Sequence, residues 1–120
     1  MQISEIDFGK AVPIQGYGPG FFRIAGNAMK APLMVNSKGV KPWGGFQYGQ
    51  SLLKFCKEID ILFIGTGREI THIPMGLRNI LETSGIGLEV MNSPTACRNY
   101  NILLSEDRRV AAALLPVEEI

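Results

Sequence analysis

Between Asp60 and Val117 the chain alternates short apolar runs with helix-opening signals, the pattern of helices packed on a sheet. Ile61–Ile64 (ILFI) and Val110–Leu115 (VAAALL) are apolar at every position, as strands covered on both faces are. Leu88–Met91 is predicted as a third strand. The first of these runs leads into Gly65-Thr66-Gly67, and Leu88–Met91 leads into the capping segment that starts at Ser93. Pro74 opens a helix with Leu77, Ile80, Leu81 and Ser84 on one face, and Gly85 stands where it stops. Ser93 is the expected cap of a second helix, with Pro94 as its first residue and Ala96, Tyr100, Leu103 and Leu104 as its core stripe. From the residues alone the three late strands run parallel. Both loops then open at one edge of the sheet, where ligands bind in open α/β folds.

The first half reads as β-structure and turns. Pro13–Gly20 (PIQGYGPG), with three glycines and two prolines, reads as a loop or a tight set of turns. Phe21–Ala25 is a predicted strand and Gly26-Asn27 a hairpin turn. Leu33–Asn36 is a second strand, which Pro32 starts or places at an edge. Ser37–Gly39 turns the chain, Lys41–Gly49 is irregular and aromatic, and a short helix runs from about Gln50 to Glu58. The expected order is a β-hairpin region, a helix, then β-α-β-α-β, in one domain over residues 1–120.

Charge and cysteine usage exclude several functions. Twelve basic against eleven acidic residues leave a net charge of +1, and only Arg108 and Arg109 are adjacent in sequence. That scatter gives no footprint for nucleic acid or an anionic membrane surface. Two cysteines, no CxxC and one histidine do not make a zinc site. Cys56 and Cys97 fall on predicted helices among apolar neighbours, which suits reduced thiols; a disulfide between them is the alternative. No stretch reaches the roughly 18 apolar residues of a membrane helix. The start, MQISEIDFGKAV, has the pattern of neither a secretory signal nor a transit peptide. A cytoplasmic location is expected, with no membrane insertion and no cofactor.

Three segments are candidates for chemistry. Gly65, Thr66, Gly67 and Arg68 can present outward amides and a guanidinium to a carboxylate or phosphate; the alternative is a tight strand-to-loop turn. The segment is neither a dinucleotide fingerprint, since position 70 is Ile, nor a P-loop. Ser93, Thr95, Ala96, Cys97, Arg98 and Asn101 surround a helix N-terminus, where amides and the dipole can hold an anion and lower a thiol pKa. The alternative there is an ordinary capped helix with a buried Cys and a solvated Arg. His72, in the loop before the Pro74 helix, is the one base that could serve a Cys97 nucleophile; the alternative is a solvent-exposed or structural histidine. The third segment, GYGPG with Phe21, Phe22 and Trp43–Tyr48, offers aromatic anchors for a partner or simply closes the core. Glu5 with Asp7, and Glu118 with Glu119, lack the setting of an acid–base pair.

YGPGFFRI, ILFIGTGRE and GIGLEVMNSPTACRNYNILLSEDRRVAAALLPV, in that order, resemble domain-of-unknown-function family 498, also called MTH-938-like. The resemblance covers nearly the whole chain and is carried best by GTG and the run from TACRNYN to ALLPV. It implies a three-layer α/β domain around a mixed sheet with one central strand reversed. The family includes single-domain bacterial and archaeal proteins and the mitochondrial assembly factor 3 of respiratory complex I, which acts by protein contact. On that basis this chain is expected to be a bacterial, non-catalytic interaction or assembly protein with a protein partner. The alternative is a binder of, or enzyme acting on, a small anionic ligand held between Gly65–Arg68 and Ser93–Arg98.

Overall fold

The computed structural model describes residues 6–7 and 11–118. After the two-residue strand β1 (Ile6–Asp7) comes a three-stranded antiparallel meander, β2 (Ile14–Gly18), β3 (Phe21–Ile24) and β4 (Asn27–Lys30). A hairpin of β5 (Leu33–Asn36) and β6 (Gly39–Pro42) follows, then a 3-10 turn at Phe46–Tyr48 and α1 (Gly49–Phe55). The rest alternates β7 (Ile61–Gly65), α2 (Met75–Thr83), β8 (Gly87–Met91), α3 (Ser93–Ser105) and β9 (Val110–Leu114).

The larger sheet has the order β1-β6-β5-β9-β7-β8. β7 pairs in parallel with both β8 and β9, so the three late strands do run the same way. The sheet is mixed because β5 runs against β9, and β5 is the reversed central strand. Strand alternation divides the core in two. Leu33, Val35, Phe63, Val110, Ala112 and Leu114 face α3 and the meander, which contributes Ile14, Phe22, Ile24 and Met29. Met34, Leu62, Ile64, Ala111 and Ala113 face α1 and α2 through Leu52, Cys56, Leu77 and Leu81. These are the three layers of the expected α/β fold. The alanines of β9 keep its surface low on both faces, which lets helices approach it closely.

Several local expectations are corrected. Pro13–Gly20 is mostly strand: Ile14–Gly18 pairs with β3 across a register shift between Ile14 and Gly16, and the turn is confined to Pro19-Gly20. The hairpin turn sits one residue earlier than expected, at Ala25 and Gly26, with φ of 52° and 79°. Positive φ at both central residues is what a two-residue hairpin loop requires. Asn27 instead starts β4, and Gly39 starts β6 rather than ending a turn. The first helix stops at Phe55, before Glu58, whose φ of 68° is left-handed. Pro74 caps α2 from outside rather than standing in its first turn. Ile80 is exposed, so the apolar face of α2 rests on Leu77 and Leu81.

Candidate functional site

β7, β8 and β9 end side by side, with Gly65 in register with Met91 and with Leu114. Just beyond, the backbone of Thr66 donates to the Met91 carbonyl at 2.9 Å. Gly67 N–H donates to Ser93 Oγ at 2.9 Å, and Ser93 N–H returns a bond to the Gly67 carbonyl at 2.8 Å. The Ser93 hydroxyl in turn donates to the Leu115 carbonyl at 2.8 Å, and Leu115 N–H donates to the Gly65 carbonyl at 2.9 Å. One fully buried serine thus ties together the chain leaving all three strands. The tie needs Gly65: a Cβ there would stand 2.7 Å from both Ser93 Cα and Ser93 Oγ. The loop is held further by Thr66 Oγ1, which donates to the Glu69 carbonyl at 2.7 Å and accepts from Thr71 N–H at 3.1 Å.

Because Ser93 is spent on this tie, it does not cap α3. Asn92 does, its Oδ1 accepting from Thr95 N–H at 2.9 Å while its carbonyl accepts from Ala96 N–H at 3.0 Å. The amides of Thr66, Gly67, Thr95 and Ala96 are therefore all engaged within the protein. Arg68 is exposed and lines a shallow pocket of about 450 Å³ with Tyr17, Pro19, Pro94 and Val117. Arg98 is not among the residues lining that pocket; it is exposed and donates to Thr95 Oγ1 at 3.1 Å. Asn101 faces another way and pairs with the backbone of Ile14 on β2. Of the groups expected at an anion pocket, the amides named here are engaged internally, and Arg98 bonds to Thr95 outside the pocket that Arg68 lines.

The environment of Cys97 reverses the expected dipole effect. Its side chain is buried in the cluster beneath α3, and desolvation pushes the thiol up to about 12, against a small opposing pull from the Arg98 charge. Burial likewise raises Cys56 to about 12, and both cysteines are free thiols. His72 is exposed, and its neighbour Ile73 packs in the cluster on the other face of the sheet. Among the described residues no hydrogen bond joins His72 to Cys97.

The aromatic segments mostly close the core. Phe22 and Trp43 are buried, and Trp43 stacks edge-on to Phe46 at 5.8 Å between centroids. Among the described side chains of this group, Tyr17 alone is strongly exposed, at 50%. The side chain of Tyr48, together with Glu5 and Glu119, lies outside the described residues; Glu118 is exposed.

One grouping escaped sequence reasoning. Lys38, Lys41, Lys54, Lys57 and Arg109 line a single pocket of about 340 Å³ at the opposite end of the sheet, with Glu58. They come from the β5–β6 turn, β6, α1 with the turn after it, and the start of β9. No periodicity within any one segment signals that they meet.

Comparison with known proteins fits this architecture. Residues 14–115 match the model of the family described as "Protein of unknown function (DUF498/DUF598)". An uncharacterized protein of Rhodobacter capsulatus is 46% identical over 113 residues, covering 94% of this chain and 91% of that one. The NADH dehydrogenase [ubiquinone] 1 alpha subcomplex assembly factor 3 of Danio rerio is 33% identical over 110 residues. That match covers 86% of this chain and 63% of the relative, so the chain spans less than two thirds of the length of that assembly factor. The crystal structure of an outer membrane protein from Bartonella henselae superposes with a TM-score of 0.81 at 34% identity, covering 92% and 99% of the two chains. A Mth938-like domain of Bordetella pertussis shares the fold with a TM-score of 0.74 at 24% identity, covering 90% of this chain and 87% of that one. By its matched span and its relatives, the chain belongs to the DUF498/DUF598 family and has the Mth938-like fold.

Proposed function

We propose that this protein is a non-catalytic interaction or assembly factor, acting through contact with another protein. The observation that carries the reading is the use made of the polar groups at the strand ends. The Ser93 hydroxyl accepts one internal bond and donates another, the neighbouring amides are engaged, and the Cys97 thiol is buried and held protonated. A nucleophile needs a reachable, activated atom, and these groups are committed to holding strands together. Similarity to the Danio rerio assembly factor over 86% of the chain supports the same reading. A cytoplasmic setting goes with it, since free Cys56 and Cys97 suit a reducing compartment. No helix of the described residues is long and apolar enough to cross a membrane.

The test is size-exclusion of gently lysed cells carrying the tagged chain at its native level, followed by mass spectrometry. The reading predicts elution well above the 13.1 kDa of the chain, together with one reproducible partner. Elution of the chain alone at its own mass would overturn it.

A further inference from the structure

The basic pocket at the lower end of the sheet is the strongest unassigned surface. Lys38, Lys54 and Lys57 are exposed around it, and Glu58 is the one carboxylate among its described lining residues. Arg109 is already answered: its guanidinium grips the Asp60 carboxylate at 2.8 and 3.2 Å. Lys41 lies with its Nζ 5.9 Å from the centre of the Phe55 ring. Three exposed lysines thus stand against one carboxylate, Glu58, among the described lining residues, in a chain whose net charge is only +1.

Lys54 also lines a second depression, of about 570 Å³, in which Phe46, Pro74, Leu77 and Ile80 supply an apolar floor. The cationic and apolar depressions thus meet at Lys54. This pairing selects the occupant. Exposed charges contribute little affinity each, but they steer an oppositely charged partner and fix its register. Affinity has to come from apolar burial, and the adjoining groove offers it. A nucleic acid needs an extended run of cations for its phosphates, or exposed rings on which bases stack. Three lysines beside an apolar groove match neither requirement.

We infer that this composite surface, Lys38, Lys54 and Lys57 with the groove over Leu77 and Ile80, is a docking site for an acidic protein segment bearing interspersed apolar residues. The inference rests on the assembly reading and names the surface and partner chemistry that reading leaves open.

The test titrates the full chain with a fluorescent peptide of Glu-Glu-Leu repeats, read by anisotropy and by amide chemical shifts. Polythymidylate and inorganic phosphate serve as competing probes. Saturable peptide binding is expected, with shifts confined to residues around Lys38, α1 and Ile80. Lys54→Glu with Lys57→Glu should weaken it about tenfold, while Lys30→Glu, the same kind of substitution at an exposed position of β4, should leave it intact. Circular dichroism melts establish that each variant is folded. Absence of saturable binding, equal loss in Lys30→Glu, or tighter binding of polythymidylate or phosphate at the same residues would overturn the inference. If peptide binding fails while the chain still co-elutes with a partner from lysate, this surface falls and the assembly reading stands. If the chain elutes alone while the peptide binds as expected, the reverse holds.

Discussion

The side-chain amide of Asn101 pairs with the backbone of Ile14 as a neighbouring strand would. Ile14 N–H donates to Asn101 Oδ1 at 2.8 Å, and Asn101 Nδ2 donates to the Ile14 carbonyl at 2.8 Å. The two residues are 87 positions apart. This contact pins α3 to the first strand of the meander, two elements that cover the same face of the large sheet. An asparagine that reads in sequence as a member of an anion site is a structural clasp.

Asn101→Ala removes both bonds and leaves the nearly buried Ile14 backbone without these partners. We expect a loss of about 2–3 kcal/mol, summing two hydrogen bonds and the unmet polar groups. Urea denaturation measures it. A change below about 0.5 kcal/mol would mean that water replaces the clasp at no cost.

Ser93→Ala should cost about 2–4 kcal/mol, because the Gly67 N–H and the Leu115 carbonyl lose their partner inside the protein. Hydrogen exchange adds a local signature: the Gly67 amide should lose protection well before the central amides of β7. Unchanged protection of Gly67 would show that the serine is not the tie.

Gly65 and Gly76 make a matched pair. Gly65→Ala drives a methyl into the Ser93 backbone at 2.7 Å and should destabilise by about 1–3 kcal/mol. At Gly76, in α2, an added methyl meets nothing within 4 Å, and alanine should stabilise by about 0.5–1 kcal/mol. Thermal melts of the two variants should shift in opposite directions.

Stability should fall in alkali through the buried thiols. Cys56 and Cys97 have an ordinary value of 9.0, and burial raises each to about 12. Between those values the unfolded chain has lost protons that the folded chain keeps. Stability is therefore full below about pH 9 and declines as pH rises toward 12, by up to about 1.4 kcal/mol per pH unit for each thiol. Buried Tyr100, also raised by desolvation, adds to the decline at the upper end. Urea midpoints measured from pH 8 upward should show the slope, and Cys97→Ala should reduce it even though the variant starts less stable.

What the sequence made legible was whatever a short window contains. ILFI and VAAALL announce buried strands, and Leu77 with Leu81 announces the inner face of α2, because burial on a regular element repeats locally. β2 is hidden in the sequence because its glycines read as turns, and only its pairing with β3, where the Phe21 ring lies against Gly18, makes them a strand. Asn92 does not stand out because Ser93 is an equally good capping residue by chemistry; its hydroxyl is claimed by strand ends 22 and 26 residues away. The thiol of Cys97 escapes a local reading for a related reason: helix position is local, whereas desolvation comes from β-strands far along the chain. The basic pocket was invisible because its lysines are gathered by topology alone.

The central claim is that the nucleophiles of the candidate site, Ser93 and Cys97, are sealed into the fold. The most direct measurement is the alkylation rate of Cys97 by iodoacetamide at pH 8, resolved from Cys56 by peptide mass spectrometry, in native and urea-unfolded protein. The account predicts that native Cys97 reacts slower than the unfolded thiol by on the order of a thousandfold, since it must await opening of the core. A native Cys97 that reacts as fast as the unfolded thiol, or faster, would contradict it.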